Sequence, residues 1–296
     1  MKVLVNRKPR RDQPWGGGNL FVIALCDFLT DLGVDVVHSF SEDIDTVFMQ
    51  DPRYDNLGIS INEIYAYKSY KPDVKIIHRV NECDARKNTS DIDSLLRECS
   101  KISDHTVFVS GWMRDYHVSK GWDCNNTSVI HNGVDLNHFY QRDKIENGKI
   151  NIVTHHWSNN RMKGFDIYDE IDRFIGLNDD FTFTYIGREN GTFRNTKVID
   201  PIYGLDLGEE LGKYDVYVSG SKHDPGPNHV LESIASNIPT YVISSGGGAV
   251  ELAGESHTYS SIESLVKILK KKSYINNDYT PRSWQECTRE YSSIIL

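Results

Sequence analysis

VYVSGSKHDPGPNHVLESIASNIPTYVISSGGGAVEL, residues 216–252, reads as strand, loop, helix, strand, glycine turn and the start of another helix. The apolar run 216–218 has the length of a buried strand, and Val230, Leu231, Ile234 and Ala235 recur at helical spacing behind Pro227. Asp224 then falls in the strand-to-helix loop, and Glu232 projects from the helix eight positions later. A helix that begins in the crevice above parallel strands directs unpaired N–H groups and a positive dipole end at any phosphate there. Acids on either side of that point are placed to hold sugar hydroxyls, which predicts a pocket for a nucleotide sugar. A lone loop acid and a lone helix glutamate would be ordinary surface residues; the whole pattern in register gives them meaning.

The rest of the chain repeats that rhythm. Short apolar runs at 3–5, 34–37, 46–49, 74–77, 106–109 and 128–130 alternate with helical patterns at 19–32, 61–70, 91–102 and 111–119. A polar segment at 137–148 interrupts the alternation, which resumes with strands at 151–154, 182–186 and 196–199 and helices at 165–175 and 206–213. Strands separated by helices predict doubly wound parallel sheets, whose ligands bind beyond the strand carboxyl ends. A length of 296 residues accommodates two such domains.

Composition narrows the class. With 39% hydrophobic and 25% charged residues and no apolar run near bilayer length, the chain reads as globular, with no signal peptide expected at Met1. Five scattered cysteines point to a reducing compartment rather than a disulfide framework or zinc site. A net charge of −9 argues against nucleic acid as a partner.

The 216–252 stretch resembles the donor-site signature of the retaining glycosyltransferases of family 4, which have the GT-B fold. In that family an acid, seven residues and a glutamate precede a small-residue helix, an Asn/Gly-x-Pro, a strand and a glycine turn ending in glutamate. Here these are Asp224, Glu232, Ala235, Asn237, Pro239, Gly246 to Gly248 and Glu251. Asp224 stands where glutamate is usual, one methylene shorter. Ile130 to Phe139 is similar to the family's interdomain N-G-V-D-x-x-x-F segment, and 109–116 to its strand-Ser-helix segment.

The resemblance implies a GT-B enzyme: two Rossmann-like domains facing each other across a cleft, at 1–136 and 150–280. A linker at 137–149 joins them, and a final helix at 281–296 crosses back to the first domain. Its implied activity is metal-independent, retaining transfer of a hexose from a nucleoside diphosphate sugar to an acceptor hydroxyl, with no cofactor, in the cytoplasm and with at most peripheral membrane contact. A GT-B sugar-nucleotide epimerase and a non-catalytic sugar-nucleotide-binding protein are the rival readings.

The resemblance also assigns roles. Asp224 meets the hexose and Glu232 the ribose, with Pro225, Gly226, Asn228 and His229 lining the donor. Pro14 to Asn19 follows the first strand, and its Gly16, Gly17 and Gly18 let backbone approach donor phosphate. His78, read as closing the strand at 74–77, lies near the hexose, and Arg79, Asn81, Glu82 and Asp84 fall on the acceptor side. Lys163, in Lys-Gly, neutralises the diphosphate. The family's arginine five residues earlier is replaced by Ser158, so Arg161 is the nearest substitute. His155 and His156 lack a third ligand at zinc spacing, and Asp43/Asp45 and Asp91/Asp93 read as turn and cap residues. Gly187-Arg188 and the 199–204 loop are expected near the base.

Overall fold

A computed structural model describes residues 1–12, 16–53, 58–123 and 125–296; Pro14 and Trp15 lie outside them. The chain divides into two compact units, Met1–Gly133 with Trp284–Leu296, and Val134–Ser283.

In the first unit the strands are β1 (Lys2–Val5), β2 (Asp35–Val37), β3 (Thr46–Met49), β4 (Lys75–Val80), β5 (His105–Phe108) and β6 (Thr127–Val129). They form one sheet in the order β2-β1-β3-β4-β5-β6, every pair parallel. Between them run α1 (Gly17–Asp31), α2 (Ile61–Tyr70), α3 (Asp84–Lys87), α4 (Ile92–Ile102) and α5 (Gly111–Ser119).

The two-residue period of a strand explains the layering. Val3, Val5, Phe48 and Ile77 pack with α1 on one face, while Leu4, Val47, Met49 and Ile76 pack with α2 on the other. Both faces are covered, as an all-parallel sheet requires. The same parity sends Arg79 to the α1 side and His78 to the opposite one.

The second unit holds β7 (Ile150–His156), β8 (Phe181–Gly187), β9 (Lys197–Ile199), β10 (Val216–Ser219), β11 (Thr240–Ile243) and β12 (Thr258–Tyr259). Its helices are α6 (Phe165–Ile175), α7 (Gly204–Leu211), α8 (Asn228–Ala235), α9 (Gly248–Ala253) and α10 (Ile262–Lys270). Its sheet is again parallel, in the order β12-β11-β10-β7-β8-β9. Counted from β7, this is the 3-2-1-4-5-6 order of dinucleotide-binding sheets. The order reverses between β7 and β10, so the crevice beyond their carboxyl ends is where such sheets take ligands. The last helix, α11 (Trp284–Ile295), belongs to the first unit, where Cys287, Tyr291 and Ile295 complete the α1-side core. Among the described residues no helix is long and apolar enough to cross a membrane.

Two local expectations need correction. The first helix starts two residues before Asn19, with the glycine triplet at its start: Gly16, at φ 81°, is the cap, and Gly17 and Gly18 are the first helical residues. His78 does not close β4. The strand runs on through Arg79 and Val80, which pair with Val107 and Phe108, so His78 sits mid-strand and fully enclosed.

His78 shares that face with His117 of α5, whose ring lies 4.4 Å from Trp122 and 5.1 Å from Tyr116 by centroids. The His78 imidazole has no hydrogen-bond partner among the described residues. Burial pushes His78 down to about 3, with the His117 charge adding to it. Burial likewise pushes His117 down to about 4, against the pull of Asp93. Both rings stay neutral when folded, whereas the unfolded chain protonates them near pH 6.5, so acid favours unfolding. Stability present above about pH 6.5 should therefore fall toward pH 4, at a limiting slope of about 1.4 kcal/mol per pH unit per histidine. Urea unfolding at pH 7 and pH 5 checks this. His117→Phe should reduce the difference, and an unchanged difference would rule out His117 as its source.

Candidate functional site

Parity along β7 builds the centre of the second unit's site. Val153 packs on the α8 side and Ile152 on the α6 side, so His155 and His156 point to opposite faces. His155 Nε2 donates to the Glu232 carboxylate of α8 at 2.7 Å, with the two side chains 8% and 13% exposed. His155 Nδ1 is buried and has no partner among the described residues.

His156 turns to α6, where Nε2 lies 2.6 Å from the Tyr168 hydroxyl. That hydroxyl receives the Gly220 N–H at 3.0 Å and the Thr154 hydroxyl at 3.2 Å, so its own proton goes to His156. Burial first, then the charges of His229, Lys163 and His155, hold His156 well below the usual imidazole range. A neutral ring that accepts from tyrosine fits this. His229, in the first turn of α8, takes Ser219 Oγ at 2.8 Å and packs 4.6 Å from the His156 ring.

Beyond β7 the chain makes a 3-10 turn, Arg161–Lys163, capped by Asn160 Oδ1, which accepts Met162 N–H at 2.8 Å. Ser158 Oγ accepts Asn160 N–H at 3.2 Å, so the position where the resemblance led us to expect arginine is spent on loop structure. Gly164 follows at φ 95°, and a Cβ there would stand 2.3 Å from Gly220 C and 2.4 Å from Gly220 O. This backbone contact, with Lys222 N–H donating to Met162 O at 2.9 Å, sets the loop after β7 directly against the loop after β10. Lys163 Nζ thereby reaches Asp224 Oδ2 at 2.6 Å, with side chains 13% and 3% exposed. Ser221 Oγ donates to the same oxygen at 3.0 Å.

The glycine turn explains itself in the same terms. Asp224 N–H donates to Gly246 O at 3.1 Å and Gly248 N–H to Asp224 O at 2.8 Å. A Cβ on Gly247, at φ 69°, would lie 2.9 Å from Asp224 O. Gly246 to Gly248 thus form a backbone splint under the acid, and His223 before it holds φ 51°, a conformation side chains resist.

The structure therefore brings together Lys163, Asp224, His229 at the start of α8 and Glu232 one turn further along it. Pro225 and Gly226 lie between Asp224 and Pro227, which caps α8 ahead of Asn228. Arg161 is exposed on the 3-10 turn, and no ion pair joins it among the described residues. The Arg188 guanidinium lies 4.1 Å over the Trp157 ring, and Gly187 lets β8 approach His156 O, where a Cβ would stand 2.0 Å away.

In the first unit the expected residues divide. Gly18 faces Asn81 and Gln50: its Cβ would lie 3.6 Å from Asn81 Nδ2 and 3.5 Å from Gln50 Nε2. Arg79 is 1% exposed and committed internally. Asp84 accepts Ile92 N–H at 3.0 Å and Asp93 N–H at 3.1 Å, capping α4 in place of Asp91, whose side chain caps nothing. Glu82 pairs with Lys87 at 2.6 Å. The acids at Asp43 and Asp45 bind Lys2, as turn residues do. Among the described residues no three His, Cys, Asp or Glu converge on a metal position.

Sequence reasoning missed His155 as the partner of Glu232, and Tyr168, Gly220 and Gln50 altogether. The 3.6-residue period of α6 places Tyr168 on the sheet, but nothing in the chain marks its hydroxyl as a hub.

The chain matches no family model, and no curated protein matches it. Solved structures do. Sucrose-phosphate synthase from Thermosynechococcus elongatus is similar at 14% identity and TM-score 0.65, over 99% of this chain and 94% of that one. HepE from Anabaena, solved with UDP and glucose, is similar at 12% identity and TM-score 0.66, over 100% and 95%. WaaG, a glycosyltransferase of lipopolysaccharide biosynthesis, is similar at 13% identity and TM-score 0.63, over 99% and 95%. The chain shares the GT-B fold of these glycosyltransferases.

If the Gly164 contact organises the site, Gly164→Ala should destabilise the protein by about 2–4 kcal/mol, combining left-handed strain with overpacking. Gly33→Ala is the control, because Gly33 shares a positive φ of 78° but meets nothing within 4 Å. It should cost about 1–2 kcal/mol, the conformational part alone. Denaturant unfolding of both variants checks the difference, and equal losses would show that the contact is not tight.

Proposed function

We propose that the protein is a glycosyltransferase of the retaining, family 4 type, moving a hexose from a nucleoside diphosphate sugar to an acceptor hydroxyl. The observation that carries this reading is the meeting of Lys163, Asp224, His229 and Glu232 at the strand-order reversal of the second unit. It is supported by the GT-B fold and by the UDP and glucose held by HepE.

In this reading α8 directs its N-terminus at the diphosphate, and Lys163 with Arg161 supplies positive charge there. As the bond from sugar C1 to the phosphate oxygen breaks, negative charge grows on that oxygen, and fixed cations and amides stabilise it most in the transition state. The acceptor oxygen bonds to C1 from the same face, and its proton passes to the departing phosphate. Asp224 holds hexose hydroxyls, and Glu232, oriented by His155, holds the ribose. Because Lys163 is paired with Asp224 before any ligand binds, phosphate must share or take over that cation. The charge is supplied by side chains, so activity should survive EDTA.

Purified protein incubated with UDP-, GDP- and ADP-linked hexoses should transfer or slowly hydrolyse at least one sugar, releasing nucleoside diphosphate. Neither transfer nor hydrolysis across the panel would sink the assignment, and tight binding without turnover would replace it with a sugar-nucleotide-binding protein. Lys163→Ala should reduce kcat/KM by the equivalent of about 2–4 kcal/mol.

The two acids should separate. Glu232→Gln should weaken nucleoside diphosphate and nucleotide sugar alike, since both carry the ribose. Asp224→Asn should leave nucleoside diphosphate affinity intact or higher, because it releases Lys163, and should depress single-turnover rate instead. Calorimetry beside single-turnover kinetics measures both. Equal loss of nucleoside diphosphate affinity in the two variants would show the roles misassigned.

A further inference from the structure

Arg79 is a large side chain enclosed to 1% exposure, and its acceptors are all neutral. Nε donates to the Tyr291 hydroxyl at 3.1 Å, Nη1 to Gln50 Oε1 at 3.0 Å and Nη2 to Asn132 Oδ1 at 2.6 Å. The Phe21 ring covers the guanidinium at 3.9 Å. Among the described residues no carboxylate lies within ion-pair distance of Arg79. A guanidinium does not deprotonate in proteins, and a buried charge without a counter-ion is expensive. Fold stability alone therefore gives little reason for arginine here.

The charge has an outlet. Gln50 follows β3, next to β1, where the strand order of the first sheet reverses. Its N–H donates to Asn6 Oδ1 at 2.7 Å, and its side chain is oriented by Arg79, which takes Oε1. Nε2 is thereby turned toward the start of α1, 3.5 Å from where a Gly18 Cβ would lie, and has no acceptor among the described residues, although Gln50 is 6% exposed. Asn81 Nδ2 lies 3.6 Å from the same point. The 15-residue α1 starts there without a side-chain cap. Gly16 O accepts from Asn19 and Leu20, leaving Gly17 N–H and Gly18 N–H with no acceptor among the described residues. Donors, a helix N-terminus and a buried cation thus share one sign at one place.

We propose that Gln50 is a ligand-binding residue of the first unit, acting with Asn81 and the Gly17 and Gly18 amides on an anionic phosphate oxygen, and that Arg79 is the positioning residue that holds Gln50. This rests on the reading of the chain as an enzyme of phosphate-bearing sugars. It adds to that reading a residue without a sequence motif and reassigns Arg79 from acceptor contact to support. A bound anion supplies the counter-charge that the fold withholds from Arg79, and glycine at position 18 leaves the space for it.

The test is a titration of isotope-labelled full-length protein with inorganic phosphate, following the Gly17 and Gly18 amide resonances. They should shift saturably. Gln50→Glu should weaken that response by about tenfold or more, as expected for losing a hydrogen bond to a charged group and adding a repelling one. The melting temperature should hold or rise, because the new carboxylate pairs with Arg79. Gln50→Leu should weaken phosphate without that gain. In Arg79→Lys the Gln50 side-chain amide signals should lose their fixed environment, and phosphate affinity should fall with them at unchanged circular dichroism. Shifts of Gly17 and Gly18 by UDP place the nucleotide's phosphate at the site, and shifts by glucose 6-phosphate place a phosphorylated acceptor there; either supports the proposal. Phosphate responses unchanged in both Gln50 variants, or neutral glucose shifting the two amides as strongly as phosphate, would overturn it. Amide shifts that persist in a protein without glycosyl transfer would reject the transfer reading and leave the phosphate site standing.

Discussion

Two backbones meet at Gly164 and Gly220, too close for a side chain on Gly164, and the second unit's site depends on that contact. Each residue belongs to a loop leaving a different strand of the reversal pair, β7 and β10. Pressed together, the loops share the Lys222 to Met162 hydrogen bond and the Tyr168 hydroxyl, which gathers Gly220 N–H and His156. Without the contact, Lys163 and Asp224 would be two polar groups on separate loops. With it they form one partly buried pair, and the splint of Gly246 to Gly248 fixes its acidic end.

Such a pair is weakly informative about stability, since desolvation offsets most of the Coulomb gain, but removing one partner strands the other's charge. The arrangement is better understood as preorganisation. A carboxylate holds Lys163 in one position and His155 holds Glu232 in the same way, which under the proposed function is the position each would work from. Little reorganisation then remains when charge develops, which is the condition under which fixed charges act most strongly.

Much of this was legible in the chain. The 216–252 stretch appears as β10, α8, β11 and α9 with Asp224 in the loop, because its strands are short apolar runs between turn residues and its helix follows a proline. The Lys-Gly of the basic loop was visible, but not that Gly164 is required by Gly220, a neighbour distant in sequence. The histidines of β7 were visible too. Their division between two partners, the carboxylate of Glu232 that accepts and the hydroxyl of Tyr168 that donates, follows from strand parity only once the helix on each face is known. Arg79 was misjudged because a polar run after an apolar strand looks like a surface edge, whereas the sheet continues through it. That Asp84 caps α4 was not legible, because a loop acid and a displaced helix cap look alike in one dimension.

The route of the chain bears on how it leaves the ribosome. Domains usually fold in the order they are synthesised, yet the first unit's sheet faces an unfinished core until α11 arrives after the whole of the second unit. Tyr291 supplies an acceptor to buried Arg79, Thr46 Oγ1 donates to Ile295 O at 3.2 Å, and Cys287 and Ile295 are fully enclosed. The second unit, with all of its strands contiguous, has its complete core in hand sooner. The half made first is thus completed last, and until then its α1-side apolar surface is the part of the nascent protein that a chaperone would find.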